Sequence, residues 1–313
     1  MTNFSFSPVT EFILSTFGDL HDFQLVLFVV FFFIFLIGVT GNLFIITLIF
    51  FSIQLHEPMY FFLANLSFVD ICLTSVTVPF MLRNFLLDAN KRLISFGGCI
   101  TQIYFYLVLA NVEDFLLALM AYDRYVAICD PLHYTVVMNR RFRFKLIVIC
   151  WVLSTADGVL HTMMTLRLSY CGSNQIDHYM CEMVPLIELS CSDTTINELV
   201  IFSEGSIDVF CPFLLILASY VCIIFAICKI RSATGRRKVF STCSSHLVVV
   251  TFYFGTITFM YFRPSSSDSL TKDRITSVMY TILTPMLNPF IYTLRNQDVQ
   301  EASQRLFARI RHG

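Results

Sequence analysis

Six acidic residues interrupt the long apolar stretches of this chain, and their chemistry is the first clue to its role. They are Asp70, Glu113, Asp114, Asp157, Glu204 and Asp208. An ionisable side chain inside a membrane is costly, and it usually faces the interior of a helix bundle or a water-filled cavity. The six positions therefore predict binding or switching sites in a membrane protein. An enzyme is disfavoured, because the acids lack a convincing nucleophile or metal partner.

Asp70 and Glu113 are expected near the middle of two different helices, with Asn42 and Asn288 at similar depth on two others. Two close carboxylates in a low dielectric must share a proton or hold a cation. Sodium or a proton is the natural occupant of such a cluster. The alternative is a fully hydrogen-bonded network that only locks the helices together.

Arg124 follows Asp123 and lies about three helical turns beyond Glu113, so Glu113 and Arg124 share one helix face some ~16 Å apart. An Arg at this end can pair with Asp123 at rest. When the helices part, it can turn to a partner protein or to tyrosines such as Tyr220 and Tyr292. The alternative is an interfacial Arg whose charged head simply reaches water.

The elements that must position these residues are membrane-spanning helices. The chain has 313 residues, of which 56% are hydrophobic and 14% charged, whereas soluble domains carry about a quarter charged residues. Apolar stretches separated by polar breaks predict seven spans, near 24–52, 58–85, 99–129, 143–166, 198–228, 237–262 and 272–294. We therefore expect an all-α seven-helix bundle that forms one membrane domain over residues 1–313.

The distribution of basic residues predicts the orientation of this bundle. Of the 21 Lys and Arg residues, two thirds fall on the side of the carboxyl terminus, and basic residues near span ends stay in the cytoplasm. We expect 1–23 to be extracellular, 24–294 to form the bundle and 295–313 to be a short cytoplasmic tail. The basic inner face would meet anionic lipid and cytoplasmic partners, and it is no sign of nucleic-acid binding. Asn3 fits the glycosylation pattern and falls on the predicted outside.

Four cysteines lie on the predicted outer, oxidising side, which makes two disulfides plausible in any of three pairings. These cysteines are Cys99, Cys171, Cys181 and Cys191. A second interpretation is metal binding by His178, Cys181 and Glu182, which requires Cys181 to be a free thiolate. The competing interpretation is a purely structural loop.

Five segments together resemble one family closely. They read LHEPMYFFLANLSFVD at 55–70, MAYDRYVAIC at 120–129, SYVCI at 219–223, RKVFSTCSSHL at 237–247 and PMLNPFIYTLRN at 285–296. In this order and at these span ends, they resemble the odorant receptors, which are rhodopsin-like G-protein-coupled receptors. The end of the seventh span is similar to the tetrapod-type, class II group.

The resemblance implies roles for residues of the inner half and for the cysteines. Asp123, Arg124 and Tyr125 would form the G-protein switch, with Tyr220 and Tyr292 as partners on activation and Asn288 and Pro289 in the same seventh-span motif. Asp70 and Glu113 would be the sodium-site acids. The disulfides implied are Cys99 with Cys181 and Cys171 with Cys191.

The resemblance also implies an odorant pocket in the outer half of the bundle. On the third span the matching positions are Tyr106, Leu107, Ala110 and Asn111. On the sixth span the family's Phe-Tyr-Gly reads Tyr253-Phe254-Gly255, so the two aromatics are exchanged and the usual switch position, Phe254, has no hydroxyl. Tyr261 keeps a pocket hydroxyl about two turns further out.

Glu204 and Asp208 depart from the family, which commonly has apolar or small residues at these fifth-span positions. Their spacing puts them on one helix face. Two acids over an apolar pocket would attract a cation, so we hypothesise an amine odorant, with cation–π attraction from Tyr106 and Tyr261. The alternative is that one or both acids are protonated or point to a water-filled cleft.

The expected function is therefore odorant detection without any bond made or broken and without a cofactor other than a sodium ion. A small volatile ligand would shift the bundle toward a state that activates a stimulatory olfactory-type heterotrimeric G protein and raises cyclic AMP. The resemblance places the chain in the plasma membrane of olfactory cilia. Two alternatives are a proton- or sodium-coupled transporter, disfavoured because no internal repeat is seen, and a receptor of this family that serves outside the nose.

Overall fold

The computed structural model describes residues 9–16, 23–229, 232–261 and 269–312. Within these ranges seven long helices follow one another. They are α1 (Gln24–Phe51), α2 (Pro58–Phe85), α3 (Phe96–Cys129), α4 (Arg140–Leu166), α5 (Thr195–Lys229), α6 (Ala233–Tyr261) and α7, which consists of Ser269–Val278, a π-helical turn Met279–Leu283 and Thr284–Arg295.

The length and apolar character of these helices fit a membrane-embedded bundle. Helices α1 to α5 are each long and apolar enough to cross a membrane, and α6 contains the shorter apolar segment Cys243–Phe259. The predicted seven-helix bundle is confirmed, and the predicted bounds of α2 agree with the observed ones. Helices α3 and α4 begin earlier than predicted because Ser95 and Asn139 cap them, accepting hydrogen bonds from Gly98 N and Phe142 N.

Small residues let neighbouring helices approach closely, as expected where lipid supplies no hydrophobic driving force. A Cβ at Gly158 of α4 would lie 2.6 Å from a methyl carbon of Val108 on α3. A Cβ at Gly41 of α1 would lie 2.9 Å from Cγ of Pro289 on α7. The larger of the two apolar clusters among the described residues has members on all seven helices, and the smaller lies at the end of the bundle that carries Cys99 and Cys181.

One end of the bundle, which we call the outer end, carries a small sheet and the two disulfides. Strand β1 (Glu11–Leu14) pairs antiparallel with β2 (Leu93–Ser95) and parallel with β3 (Gln175–Ile176). Cys99 is bonded to Cys181 and Cys171 to Cys191, the pairing that the resemblance implies. A loop helix, Met183–Glu188, lies between the two bonded points of the long loop. Sequence reasoning predicted none of these strands.

The opposite, inner end carries the short helix Tyr134–Val137 and helix α8 (Gln297–His312). Sequence reasoning treated 295–313 only as a tail. The helix begins where Asn296 Oδ1 accepts hydrogen bonds from the backbone N–H groups of Asp298 and Val299. Val299 and Ala302 are buried against the bundle, so α8 packs on the inner end.

Candidate functional site

The acids on α2 and α3 meet in the centre of the bundle. Asp70 and Glu113 are both fully buried, and Asn288 on α7 donates a hydrogen bond of 3.0 Å to Asp70 Oδ2. Asn42 on α1 lies at the same polar core and donates to the backbone oxygen of Pro285 at 3.0 Å. These hydrogen bonds join α1 to α7 and α7 to α2, and Glu113 on α3 lies close enough to Asp70 to interact with it electrostatically.

This polar core leaves several buried acceptor atoms without a hydrogen-bond partner. They are Oδ1 of Asn42, Asp70 and Asn288 and both carboxylate oxygens of Glu113. Unpaired buried oxygens of this kind are costly, and a hard cation or a proton would satisfy them. Among the described residues, no three His, Cys, Asp or Glu side chains converge as they would to hold a metal ion.

The outer-half candidates on α3 contact α7 and the long loop. Tyr106 is buried and lies close enough to Tyr280, in the π-helical turn of α7, to interact with it electrostatically. Tyr179 of the loop reaches Ser277 Oγ at 2.9 Å and Thr281 Oγ1 at 2.8 Å. The loop thus reaches into the bundle beside Tyr106, and Leu107, one residue further on, is half-buried.

The exchanged aromatics on α6 face two different partners. Tyr253 is buried, and its hydroxyl lies close enough to the carboxylate of Asp114 on α3 to interact with it electrostatically. Phe254 packs on Phe213 of α5, with ring centroids 5.4 Å apart. The hydroxyl that Phe254 lacks is therefore present one residue earlier, where it contacts an acid of α3.

The acids of α5 lie on the side of α4. Asp157 on α4 and Glu204 on α5 both lie close enough to Asp208 to influence it electrostatically. Asp157 also accepts a hydrogen bond of 2.7 Å from Asn111, and its other oxygen lies 3.3 Å from His161 Nε2. A polar cluster of α3, α4 and α5 side chains results, and both α5 acids are half-buried.

The inner end holds Arg124 in one arrangement. Asp123 accepts hydrogen bonds from Arg124, at 3.0 Å from Nε, and from the hydroxyl of Tyr134 at 3.0 Å. Tyr220 is instead paired with His246 on α6 at 2.8 Å. The hydroxyl of Tyr292 is buried without a hydrogen-bond partner, and Tyr125 stacks beside Tyr122. Arg124 is therefore held by Asp123 and not by the two tyrosines.

Comparison with known proteins agrees with this geometry. A family model described as olfactory receptor matches residues 31–309. Olfactory receptor 1468 of Rattus norvegicus is 47% identical over 309 residues, which cover 99% of this chain and 98% of that protein. Olfactory receptor 1F1 of Homo sapiens is 47% identical over 304 residues, 97% of each chain.

The chain belongs to the olfactory receptor family. The solved structure of squid rhodopsin has a similar fold, with a TM-score of 0.70 and 20% identity over 92% of this chain and 81% of that one. This olfactory receptor is thus a membrane-embedded, multi-pass receptor and not an enzyme. As a member of the family it takes a small-molecule ligand and a G-protein partner.

Several site residues of this olfactory receptor were missed by sequence reasoning. Asp114, His161, Tyr280 and His246 received no role, although Asp114 was noted as a membrane acid. Their polarity within apolar helices was the available signal, but only the rotation of each helix shows what they contact. Cys181 is in a disulfide, and His178 Nε2 lies 3.1 Å from Glu182 Oε2, so the structural interpretation of this loop is favoured over metal binding.

Two predicted residues cannot be placed in the same way. Asn3 and the side chain of Tyr261 lie outside the residues and side chains that the structure describes. Ala110, another predicted pocket residue, does lie among the described residues, and it is half-buried on α3, one turn before Asp114. The glycosylation of Asn3 and the pocket hydroxyl of Tyr261 stay predictions.

Proposed function

We propose that this receptor detects a small volatile amine and raises cyclic AMP through a stimulatory olfactory-type G protein. The observation that carries the ligand class is the concentration of acids at the junction of α3, α4 and α5. Asp157 and Glu204 lie close enough to Asp208 to act on it electrostatically, and Asp208 in turn acts on Asp114 of α3. An ammonium ion would offset the repulsion among these carboxylates.

The ligand contacts are proposed on the outer half of the bundle. Tyr106, Leu107, Ala110 and Asn111 would contribute from α3, Glu204 and Asp208 from α5, and Phe254 and Tyr261 from α6. Asn111 is supported as a member of this group because its amide already binds Asp157. Aromatic side chains here would add about 1–2 kcal/mol of cation–π attraction where the ammonium is desolvated.

Activation is proposed as a shift between two arrangements of the inner end. The ligand acts only through its higher affinity for one of them. Separation of the helices would release Arg124 from Asp123 and let Tyr220 and Tyr292 approach it, with Tyr125, Asn288 and Pro289 in the flanking motifs. The G protein would then bind among the basic inner residues.

A sodium ion is proposed at Asp70 and Glu113 in the resting arrangement. The unpartnered oxygens of Asn42, Asp70, Glu113 and Asn288 support it. A cation here ties α2, α3 and α7 together electrostatically. Its release on activation would leave the carboxylates to take up a proton or to separate.

We place the receptor in the plasma membrane of olfactory cilia, with the outer end extracellular. The two disulfides support this orientation, because disulfides persist in oxidising surroundings. The basic residues near the inner end support it from the other side.

The experiment is a cyclic AMP screen in transfected cells against volatile amines, acids, aldehydes and thiols. Amines should give the strongest responses, and the paired substitutions Glu204→Gln and Asp208→Asn should abolish them without loss of surface expression. Asp193→Asn, an exposed acid of the outer end, is the matched control and should respond like the unchanged receptor. Amine responses that persist in the doubly substituted receptor would refute the ligand class.

A further inference from the structure

The inner end of α4 carries a dense group of basic side chains. Four of the first six residues of this helix are basic, namely Arg140, Arg141, Arg143 and Lys145. We call these four residues the α4 basic cluster. In the described part of the chain the ion pairs of Lys and Arg involve other residues, and the first turn of α4 contains no acid. The positive charge of the cluster is therefore not neutralised by any carboxylate that the structure describes.

The position of the α4 basic cluster is unfavourable for the helix itself. The amino-terminal end of a helix is the positive end of the helix dipole, where acidic residues stabilise and basic residues are repelled. Asn139 caps this end by accepting a hydrogen bond of 3.0 Å from Phe142 N, but this amide adds no negative charge. A bound anion would offset both the repulsion among the four cations and their repulsion from the helix dipole.

Two members of the cluster lie on the face of α4 that points away from the bundle. Arg141 and Lys145 are one turn apart, and both are exposed. The same face continues with exposed apolar residues, which are Val148, Ile149 and Val152. The opposite face is buried in the bundle through Ile147 and Ser154. Because α4 is long and apolar enough to cross a membrane, the outward face meets lipid, with its charged residues at the end of the helix and its apolar residues toward the middle.

Arg143 extends the cluster toward α2. Its guanidinium carbon lies 5.4 Å from the centroid of the Phe61 ring on α2. Its Nε is buried and has no hydrogen-bond partner among the described residues, and an unsatisfied buried donor is costly. A phosphate oxygen is a suitable acceptor for it, because a guanidinium group binds phosphate through parallel N–H donors.

The four cations are spread around the end of the helix. At about 3.6 residues per turn, their order around the axis is Arg143, Arg140, Arg141 and Lys145, over an arc of about 200°. A single phosphate can neutralise only part of such an arc, whereas several phosphates on one ring can reach more of it. The arrangement therefore favours a headgroup with several phosphates over one with a single charge.

We propose that the α4 basic cluster is a binding site for a phospholipid of the inner leaflet whose inositol headgroup carries several phosphates. The phosphates contact Arg140, Arg141 and Arg143, with Lys145 at the boundary between headgroup and acyl chain, and an acyl chain follows the apolar residues of the same face. An acidic segment of a cytoplasmic protein would match the charge but not this apolar continuation. The proposal takes from the orientation given above only the choice of leaflet, and it is independent of the ligand class and of G-protein coupling.

The test measures lipid binding to the purified full-length receptor in detergent by native mass spectrometry. Dioleoyl phosphatidylinositol 4,5-bisphosphate should bind about tenfold more tightly than dioleoyl phosphatidylserine, because clustered cations attract the more highly charged headgroup. Soluble inositol 1,4,5-trisphosphate carries the phosphates without acyl chains and should bind much more weakly than the lipid. These comparisons use the unchanged receptor, so they do not depend on the folding of any variant.

Substitutions then locate the site on α4. Arg141→Gln with Lys145→Gln removes two exposed cations of the cluster and should weaken binding of the bisphosphate lipid about tenfold. Arg141→Lys with Lys145→Arg preserves the charge and should retain most of the binding. Lys229→Gln with Arg236→Gln is the matched control, because it removes the same charge from exposed residues of α5 and α6 at the inner end, and it should leave binding unchanged.

Three results would overturn the proposal. Equal weakening by the two Gln pairs would show that binding follows net charge and not the α4 basic cluster. Equal affinity for phosphatidylserine would show that the receptor does not select a headgroup with several phosphates. Equal affinity for the soluble trisphosphate would show that the site takes a free phosphate compound and not a lipid.

Discussion

The hydroxyl of Tyr220 on α5 lies 2.8 Å from Nδ1 of His246 on α6, and the other ring nitrogen of His246 lies 3.0 Å from the backbone oxygen of Leu117 on α3. His246 is fully buried and its ring stacks on that of Tyr220. A single imidazole therefore connects α3, α5 and α6, the helices whose separation the proposed activation requires. Tyr220 cannot leave for Arg124 without breaking this contact.

Replacing this imidazole should raise the basal activity of the receptor. His246→Phe keeps a flat ring and removes both hydrogen bonds, each worth about 1 kcal/mol, so the equilibrium should shift about thirtyfold toward the separated arrangement. The measurement is cyclic AMP in unstimulated cells, normalised to surface receptor. His133→Phe, an exposed histidine of the inner end, should leave the basal level unchanged. A basal level in His246→Phe equal to that of the control would show that the contact does not restrain activation.

The pair of Asp114 and Tyr253 should behave as one unit in stability measurements. Tyr253→Phe leaves a buried carboxylate without its hydroxyl partner, which should cost about 1–3 kcal/mol and lower the Tm of the purified receptor. Asp114→Asn can still accept the hydrogen bond and should change the Tm little. The double variant Tyr253→Phe, Asp114→Leu should lose less unfolding free energy than the sum of the losses in the two single variants. Strict additivity would mean that the two side chains do not interact.

The seven helices of this chain could be predicted from the sequence because a membrane helix must satisfy its own backbone and therefore needs a long apolar run. The same physics made Asp70 and Asn288 foreseeable, since polar groups in such runs turn inward and find one another. The bounds of α3 and α4 were less accurate because their caps, Ser95 and Asn139, precede the apolar residues. A hydropathy profile detects only the apolar run, so it does not show the polar capping residue that precedes the run.

Which side chains meet across helices could not be predicted, because it depends on the rotation of each helix about its axis. The spacing of Glu204 and Asp208 predicts that they share one face of α5, but only the packing shows that this face lies toward Asp157 on α4. Strand β1 has four residues, too few for a pattern, and its partners are distant in sequence. Helix α8 was missed, although Asn296 as a cap and the spacing of Val299 and Ala302 could have indicated it.

Sodium should stabilise the receptor through the polar core. If sodium binds at Asp70 and Glu113, replacing choline by sodium at constant ionic strength should raise the Tm of the receptor. At a sodium concentration of a hundred times the Kd, binding adds about 2.7 kcal/mol to the free energy of unfolding. Asp70→Asn and Glu113→Gln should each remove most of this increase. Asp157→Asn, another acid within the bundle, should retain it. Equal Tm values in sodium and choline for the unchanged receptor would leave a proton as the occupant.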